Sequence, residues 1–402
     1  MNSSALSPEA RETLFREAAG LAAEVATESD REGSPAEAAL ERFGALGAFR
    51  LGLAGGHPEG AAPAASQLGD GADRAAAQLG DGADRAAAQL GDYARLLEAV
   101  AGECLSSAFS LWAHRMVVEY LYAAGGFDEL LEDLLAGRRA GSIAMATAMQ
   151  ELAGVGSIPT IAVPEGDGYR VSGRIAWASN IAPGTVIVFP ARVAGAGAGG
   201  AADEAEDRGE RVILTTVVGA DGLTVREVQD LLALGATRSA MLQFDGVLVP
   251  AGGVVAASLD VCRARRHAHL LLQSAFCLGL AARCLAEAGQ QLAGPGGVLA
   301  AHHARLSEQH RELADSLHAY ADDRSAAGAR EVTLLRYEAA RLAGAAARHE
   351  ATLVGGRGYV TTSATNRRLR EATFLPVQSP SEVQLLQELE GFGLHLTEGY
   401  SI

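Results

Sequence analysis

The chain has 402 residues, more than one hydrophobic core ordinarily serves, so two or three packed units are expected. Apolar residues make up 49% of it, ordinary for a globular protein, and no run approaches the length of a membrane span. The formal net charge of −16 argues against nucleic acid or an anionic membrane as partner. The 33 basic residues are all arginine, which excludes Schiff-base lysine chemistry and the Walker phosphate lysine.

The first residues, MNSSALSPEARETLFREAAG, show no basic segment followed by an apolar one, so no secretory signal is expected. Ser7 and Pro8 read as N-cap and first helical residue, with Leu14, Leu21 and Val25 on an apolar face. A second helix is expected over 36–46. Then QLGDGADRAAA occurs twice in succession from Gln67, and a third copy beginning at Gln89 diverges into QLGDYARLLEAVAG. Two glycines per copy weaken a helix by roughly 1 kcal/mol each, and fewer than three full units make no solenoid. The segment 67–92 therefore reads as a duplicated helix entry lengthening a surface loop. Its aspartates (Asp70, Asp73, Asp81, Asp84) lack the closing glutamate of a calcium loop. Helices resume over 96–102, 107–123 and 127–136.

From 141 to 250 the pattern changes to short β-branched runs between turn residues: SIAMATAM, TIAV, GYRVSG, TVIVFPARV, RVILTTVV and AMLQFDGVLVP. Gly166-Asp167-Gly168 and Asp221-Gly222 are turn chemistry for antiparallel neighbours. The low-complexity stretch 194–209 reads as a hairpin loop. Beyond the β unit, a long helix is expected over 261–288, a break at Gly294-Pro295-Gly296-Gly297, helices over 299–322 and 330–353, and a last one over 382–389. Cys104, Cys262, Cys277 and Cys284 lack metal or redox spacing and read as buried thiols in a reducing, cytoplasmic setting; no metal site is expected.

Three stretches could carry chemistry. In AWASN, Trp177 at a strand end could stack on a planar ligand while Ser179 bonds its edge, although a tryptophan there is more often packing. In LVGGRGY, Gly355 and Gly356 let a backbone approach a ligand or simply form a helix C-cap. REATFLPVQSPS is an irregular link into the final helix.

In this order the stretches resemble the acyl-CoA dehydrogenase superfamily. YAAGGFDELLEDLLAGRRAGSIAMATAM is similar to the approach to its first strand, with Thr147 at the hydroxyl position of Cys-x-Thr-Glu-Pro. GYRVSGRIAWASN is similar to the run ending Trp-Ile-Thr-Asn, and LGATRSAMLQFDGVLVP to the one ending Phe-x-x-Val-x-Val-Pro. TLVGGRGYVTTSATNRRLREA resembles Gln-x-x-Gly-Gly-x-Gly-Tyr followed by Arg-Asp-Ala. The resemblance implies an α+β fold: an N-terminal helical domain (1–140), a middle antiparallel β-barrel or sandwich (141–255) and a C-terminal four-helix bundle (256–402). It implies FAD, with Trp177 and Ser179 flanking the ring and Thr147 at its pyrimidine side. Ser381 would stand at the threonine of Glu-Gly-Thr, and Gly355 and Gly356 would approach a neighbouring subunit's flavin. A homodimer or homotetramer follows.

The departures are as informative. Ser379 overlays the catalytic glutamate of Ile-x-Glu-Gly-Thr, and an unactivated serine is no base at neutral pH. Some members carry the glutamate on the long helix, where His269 stands here, with Leu270 at the following arginine. His269 is thus a candidate base; the plain alternative is a polar helix start shared with His267 and Arg263, Arg265 and Arg266. Thr352 replaces the glutamine before Gly-Gly, Ala148-Met149 replaces Glu-Pro, and around 290–294 no Arg-x-x-Phe-Gly is found. Three functions stand: a flavin oxidoreductase acting on the Cα–Cβ bond of an acyl thioester, on CoA or a carrier protein, with a substitute base and an electron acceptor; a monooxygenase using O2 and reduced flavin (FAD or FMN) from a separate flavin reductase; or a non-catalytic member.

Overall fold

A computed structural model describes residues 6–31, 36–53, 90–194 and 207–396. Helices α1 (Pro8–Arg31), α2 (Ala36–Ala45), α3 (Leu90–Glu103), α4 (Leu105–Ala124) and α5 (Asp128–Leu135) precede the sheet. The Ser7 hydroxyl accepts from the Ala10 amide as the cap expected at the head of α1. After the sheet come α7 (Asp260–Gly289), α8 (Ala300–Asp322), α9 (Ala329–Val354), α10 (Ala364–Ala372) and α11 (Glu382–Gly391). Helices from both ends of the chain share one hydrophobic cluster, in which α7 packs on α3 and α9. By length and hydropathy α7 alone among the described helices could cross a membrane, but its apolar window is mostly buried against these neighbours. All four cysteines are buried and free. The two complete repeat copies lie outside the described residues.

The middle of the chain forms one eight-stranded sheet: β1 (Gly141–Ile143), β2 (Ile161–Glu165), β3 (Gly168–Ala178), β4 (Val186–Ala194), β5 (Asp207–Val217), β6 (Leu223–Glu227), β7 (Ala240–Val249) and β8 (Val254–Ala256). Its order is β6-β7-β3-β2-β4-β5-β8, with β1 beside β4. The sheet is mixed rather than purely antiparallel, since β4 takes both β1 and β2 as parallel neighbours. That placement buries β4 almost throughout, as its continuous apolar run dictates, whereas β7 alternates buried and exposed residues. Gly166 and Asp167 close the expected two-residue hairpin, Glu165 facing Gly168. β4 and β5 pair antiparallel, and residues 195–206 of the stretch read as a hairpin loop lie outside the described residues.

Two further expectations are corrected. Only the first residues of SIAMATAM are strand; the rest, Ala146–Leu152, is helix α6, because alanines and methionines lack the β-branching that stiffens a strand. Asp221-Gly222 does not join paired neighbours: β5 leaves for β8, and β6 pairs with β7, Gly222 sitting against the Asp245 carbonyl. The short β6 and β8 were not legible as separate runs.

One buried histidine ties the helices to the sheet. His114 on α4 donates from Nε2 to the Leu134 carbonyl (2.9 Å) and accepts from the Gly141 amide at Nδ1 (3.0 Å). Burial pushes its pKa down to about 4, and that of His269 to about 3. The unfolded chain therefore takes up these protons first, and both histidines withdraw stability as pH falls below about 6.5. Glu371 acts oppositely: burial raises its carboxyl to about 7, so its contribution is lost as pH rises from about 4.5. Two histidines against one carboxyl leave stability rising between pH 4.5 and 6.5, by about 1.4 kcal/mol per pH unit. Urea denaturation at several pH values checks this; a midpoint that falls over that interval refutes it.

Candidate functional site

The end of β3 is where an aromatic side chain is turned outward. Between Ile175 and Ala178 the pairing of β3 with β7 slips, and this irregularity aims two consecutive side chains, Ala176 and Trp177, away from the core. Trp177 is 58% exposed, unusual for an indole held on a sheet. Two residues on, the Ser179 hydroxyl meets that of Ser239 (2.9 Å), Ser239 meets Thr237 (3.0 Å), and Thr237 donates to the Leu234 carbonyl (2.7 Å). The last bond fixes the order of protons along the row, so Ser179 donates to Ser239 and keeps its lone pairs free as acceptors.

Asn180 secures this corner. It sits in the left-handed region at φ 61°, which asparagine tolerates better than most residues. Its amide donates to the carbonyls of Ser110 on α4 (2.9 Å) and Gly141 (3.0 Å), binding the strand end to helix and sheet together. Thr147 lies in the first turn of α6, its Oγ1 buried without a hydrogen-bond partner. The same short helix is held from behind: the Met149 carbonyl accepts from Gln384 of α11 (3.1 Å), and Arg266 of α7, paired with Glu388 of α11, reaches the Met149 sulfur (3.6 Å). Ser381 caps α11, accepting from the Gln384 amide (3.3 Å).

His269 and Ser379 are brought together. Neither is part of a solvated helix start: His269 is 4% exposed, its ring edge-on to Trp112 of α4 at 4.9 Å. Gln273, one turn along α7, donates from Nε2 both to the Ser379 carbonyl (3.0 Å) and to His269 Nε2 (3.2 Å). Arg336 of α9 donates from Nε to Gln273 Oε1 (3.0 Å) and from Nη2 to the Leu375 carbonyl and Gln378 Oε1. The Ser379 hydroxyl is buried and unpartnered.

Gly355 and Gly356 end α9 elsewhere on the chain and are exposed. Gly355 needs its glycine for a φ of 66°, but a Cβ on Gly356 would meet nothing within 4 Å. Nearby Val298, Tyr359 and Val360 are exposed apolar side chains. The reading from sequence missed Asn180, Gln273 and Arg336. The four-residue step from His269 to Gln273 was a visible helical signal; nothing in the sequence ties Arg336 to either.

Comparison with known proteins sets this geometry in context. No family model matches the chain, and no curated protein matches it in sequence. Solved structures match it in fold. Butyryl-CoA dehydrogenase from Megasphaera elsdenii aligns over 97% of this chain and 99% of its own, with TM-score 0.76 and 16% identity. The chain has the acyl-CoA dehydrogenase fold. A glutaryl-CoA dehydrogenase from Mycobacterium smegmatis, in complex with FADH2, shares that fold over 99% of this chain and 96% of its own at TM-score 0.71 and 16% identity. FkbI, for biosynthesis of a methoxymalonyl extender unit, does so over 96% and 99% at TM-score 0.71 and 20% identity.

Proposed function

We propose that the chain is a flavin-dependent oxidoreductase of the acyl-CoA dehydrogenase superfamily, acting on an acyl thioester carried by CoA or a carrier protein, with FAD as its flavin. The observation that carries this is Trp177, an indole turned outward by a slipped register, with the Ser179 hydroxyl and its unused lone pairs two residues along the same strand end. An acceptor at Ser179 and an unpartnered hydroxyl at Thr147 fit the mixed donor and acceptor edge of a flavin, and Trp177 offers an apolar face to its ring. Ser381 retains a donor proton after capping α11. Bound there, the flavin would supply electron transfer; the chain supplies orientation and exclusion of water. Gly356, whose small size nothing among the described residues requires, and the exposed apolar Tyr359 and Val360 that follow it favour a second subunit completing the site, as a homodimer or homotetramer.

The finer choice turns on the proton acceptor. Dehydrogenation at Cα–Cβ needs a base, yet Ser379 has no carboxylate and the His269 Nε2 lone pair is already engaged by Gln273. This favours the monooxygenase reading, in which a partner reductase provides reduced flavin and O2 is the oxidant. Titrating the purified protein with oxidised and reduced flavin, with and without acyl thioesters, separates the readings. Thioester-dependent O2 uptake with reduced flavin is expected. Anaerobic bleaching of oxidised flavin by a thioester would instead show a dehydrogenase, and failure to take up either flavin would leave a non-catalytic protein.

A further inference from the structure

The amide of Gln273 cannot be turned round. Arg336 Nε is only a donor, so the oxygen of Gln273 must face it and the nitrogen must face the other way. Both protons of that nitrogen are then committed, one to the Ser379 carbonyl and one to His269 Nε2. A donor at Nε2 requires the ring nitrogen there to be an acceptor. The Ser379 carbonyl faces the ring as well, but Gln273 already donates to it and the ring makes no hydrogen bond of good geometry there; with a donor at Nε2, neutral His269 carries its proton on Nδ1, and that buried N–H has no partner among the described residues.

The surroundings share this polarity. Gln378 gives its oxygen to Arg336 and keeps an unpartnered amide nitrogen. Arg336 is fully buried, has an unpartnered Nη1, and meets no carboxylate among the described residues. The Trp112 indole N–H, beside His269, is unpartnered too. The charged groups bearing on His269 are Arg266 and Arg336, both cations, with Arg266 already paired to Glu388. A buried arginine without a counter-ion is expensive to keep, and buried donors without acceptors add to that. What the cluster lacks is an oxygen bearing negative charge.

We infer that Arg336 and Gln273 are positioning residues that hold His269 as a hydrogen-bond donor, so that the spot where related folds keep a base is in this chain a receptor for an anionic oxygen on the acyl group. The substrate class that supplies one is an acyl thioester with a second, free carboxylate. Of these four residues Ser379 is the part-exposed one, although its hydroxyl is buried, while His269, Trp112 and Gln378 are 4–5% exposed, so the carboxylate would have to enter on the Ser379 side. No bond is made or broken in this recognition. The inference rests on the thioester reading proposed above, but its first measurement does not need flavin.

The test uses the full chain with 15N-labelled histidine, the His269 signals assigned by their loss in His269→Gln. At pH 7 long-range 1H–15N spectra should show His269 neutral with its proton on Nδ1. A proton on Nε2, or a charged ring, overturns the inference. Gln273→Glu preserves shape while turning the donor into an acceptor and neutralising Arg336; the proton of His269 should move to Nε2, and a tautomer unchanged in that variant also overturns it. With flavin present, malonyl- and glutaryl-CoA should bind on the order of tenfold or more tightly than butyryl-CoA. Gln273→Glu should remove that preference, while flavin uptake, read from the visible spectrum, stays as in the parent. Equal affinity for the three thioesters in a protein that takes up flavin refutes the receptor alone. A protein that takes up no flavin refutes the earlier reading, and the histidine spectra still decide the tautomer.

Discussion

Replacing Trp177 by alanine is expected to weaken flavin binding by roughly tenfold to a hundredfold, the worth of one aromatic stacking platform, with the unfolding midpoint almost unmoved. The two halves of this expectation come from the same fact. An indole 58% exposed contributes little to the packing of its own chain, and surface substitutions away from caps and special backbone positions stay within about 0.5 kcal/mol. Its area becomes valuable only when a planar ligand covers it. Trp177→Phe should retain most of the affinity, because the smaller ring still offers a flat apolar face, whereas Trp177→Leu should behave more like alanine. Titration by flavin fluorescence and urea denaturation of the same preparations measure both halves. An alanine variant that binds flavin as well as the parent removes the proposed placement; one that unfolds much more easily shows the indole to be structural.

The order of elements was legible because the two periodicities separate cleanly along this chain. Alternating β-branched runs gave β2, β3, β4, β5 and β7 nearly in place, and the apolar spacing of α7, α8 and α9 located those helices within a residue or two of their ends. Where composition and periodicity disagreed, the reading failed: SIAMATAM has strand-like alternation but helix-forming residues, and the chain turns into α6 after Ile143. The Ser179 hydroxyl and the Trp177 indole could be singled out because they stand at a strand end marked by local sequence, whereas Thr147 was named only through the family resemblance. The outward turn of Trp177 could not, because it depends on a slip between β3 and a partner some seventy residues away. The polarity around His269 was invisible for the same reason. It is set by Arg336, sixty-three positions beyond Gln273, and by a loop carbonyl at Ser379 still further on. Residue type suggested a base there; only the neighbours show that its lone pair is taken.

Asn180→Ala is expected to destabilise the protein by about 3 kcal/mol, the largest loss from any single site residue. Two independent terms add. Alanine in the left-handed region costs roughly 1–2 kcal/mol, and two hydrogen bonds to the carbonyls of Ser110 and Gly141 are worth about 1 kcal/mol each. Companion variants divide the terms. Asn180→Gly relieves the backbone but forfeits both bonds, so it should lose about 2 kcal/mol. Asn180→Asp tolerates the backbone yet presents only acceptors to two carbonyl oxygens, and should be at least as damaging as alanine. Should glycine prove as stable as the parent, the amide bridge contributes nothing and backbone geometry alone explains the residue. The same comparison reaches the site. Asn180 ties the strand end bearing Trp177 and Ser179 to α4 at Ser110, two positions before Trp112, which packs on His269. A glycine there frees the corner between the proposed flavin platform and the acyl receptor. Flavin affinity should therefore fall in Asn180→Gly even at temperatures where the protein is fully folded, a loss that global destabilisation does not produce.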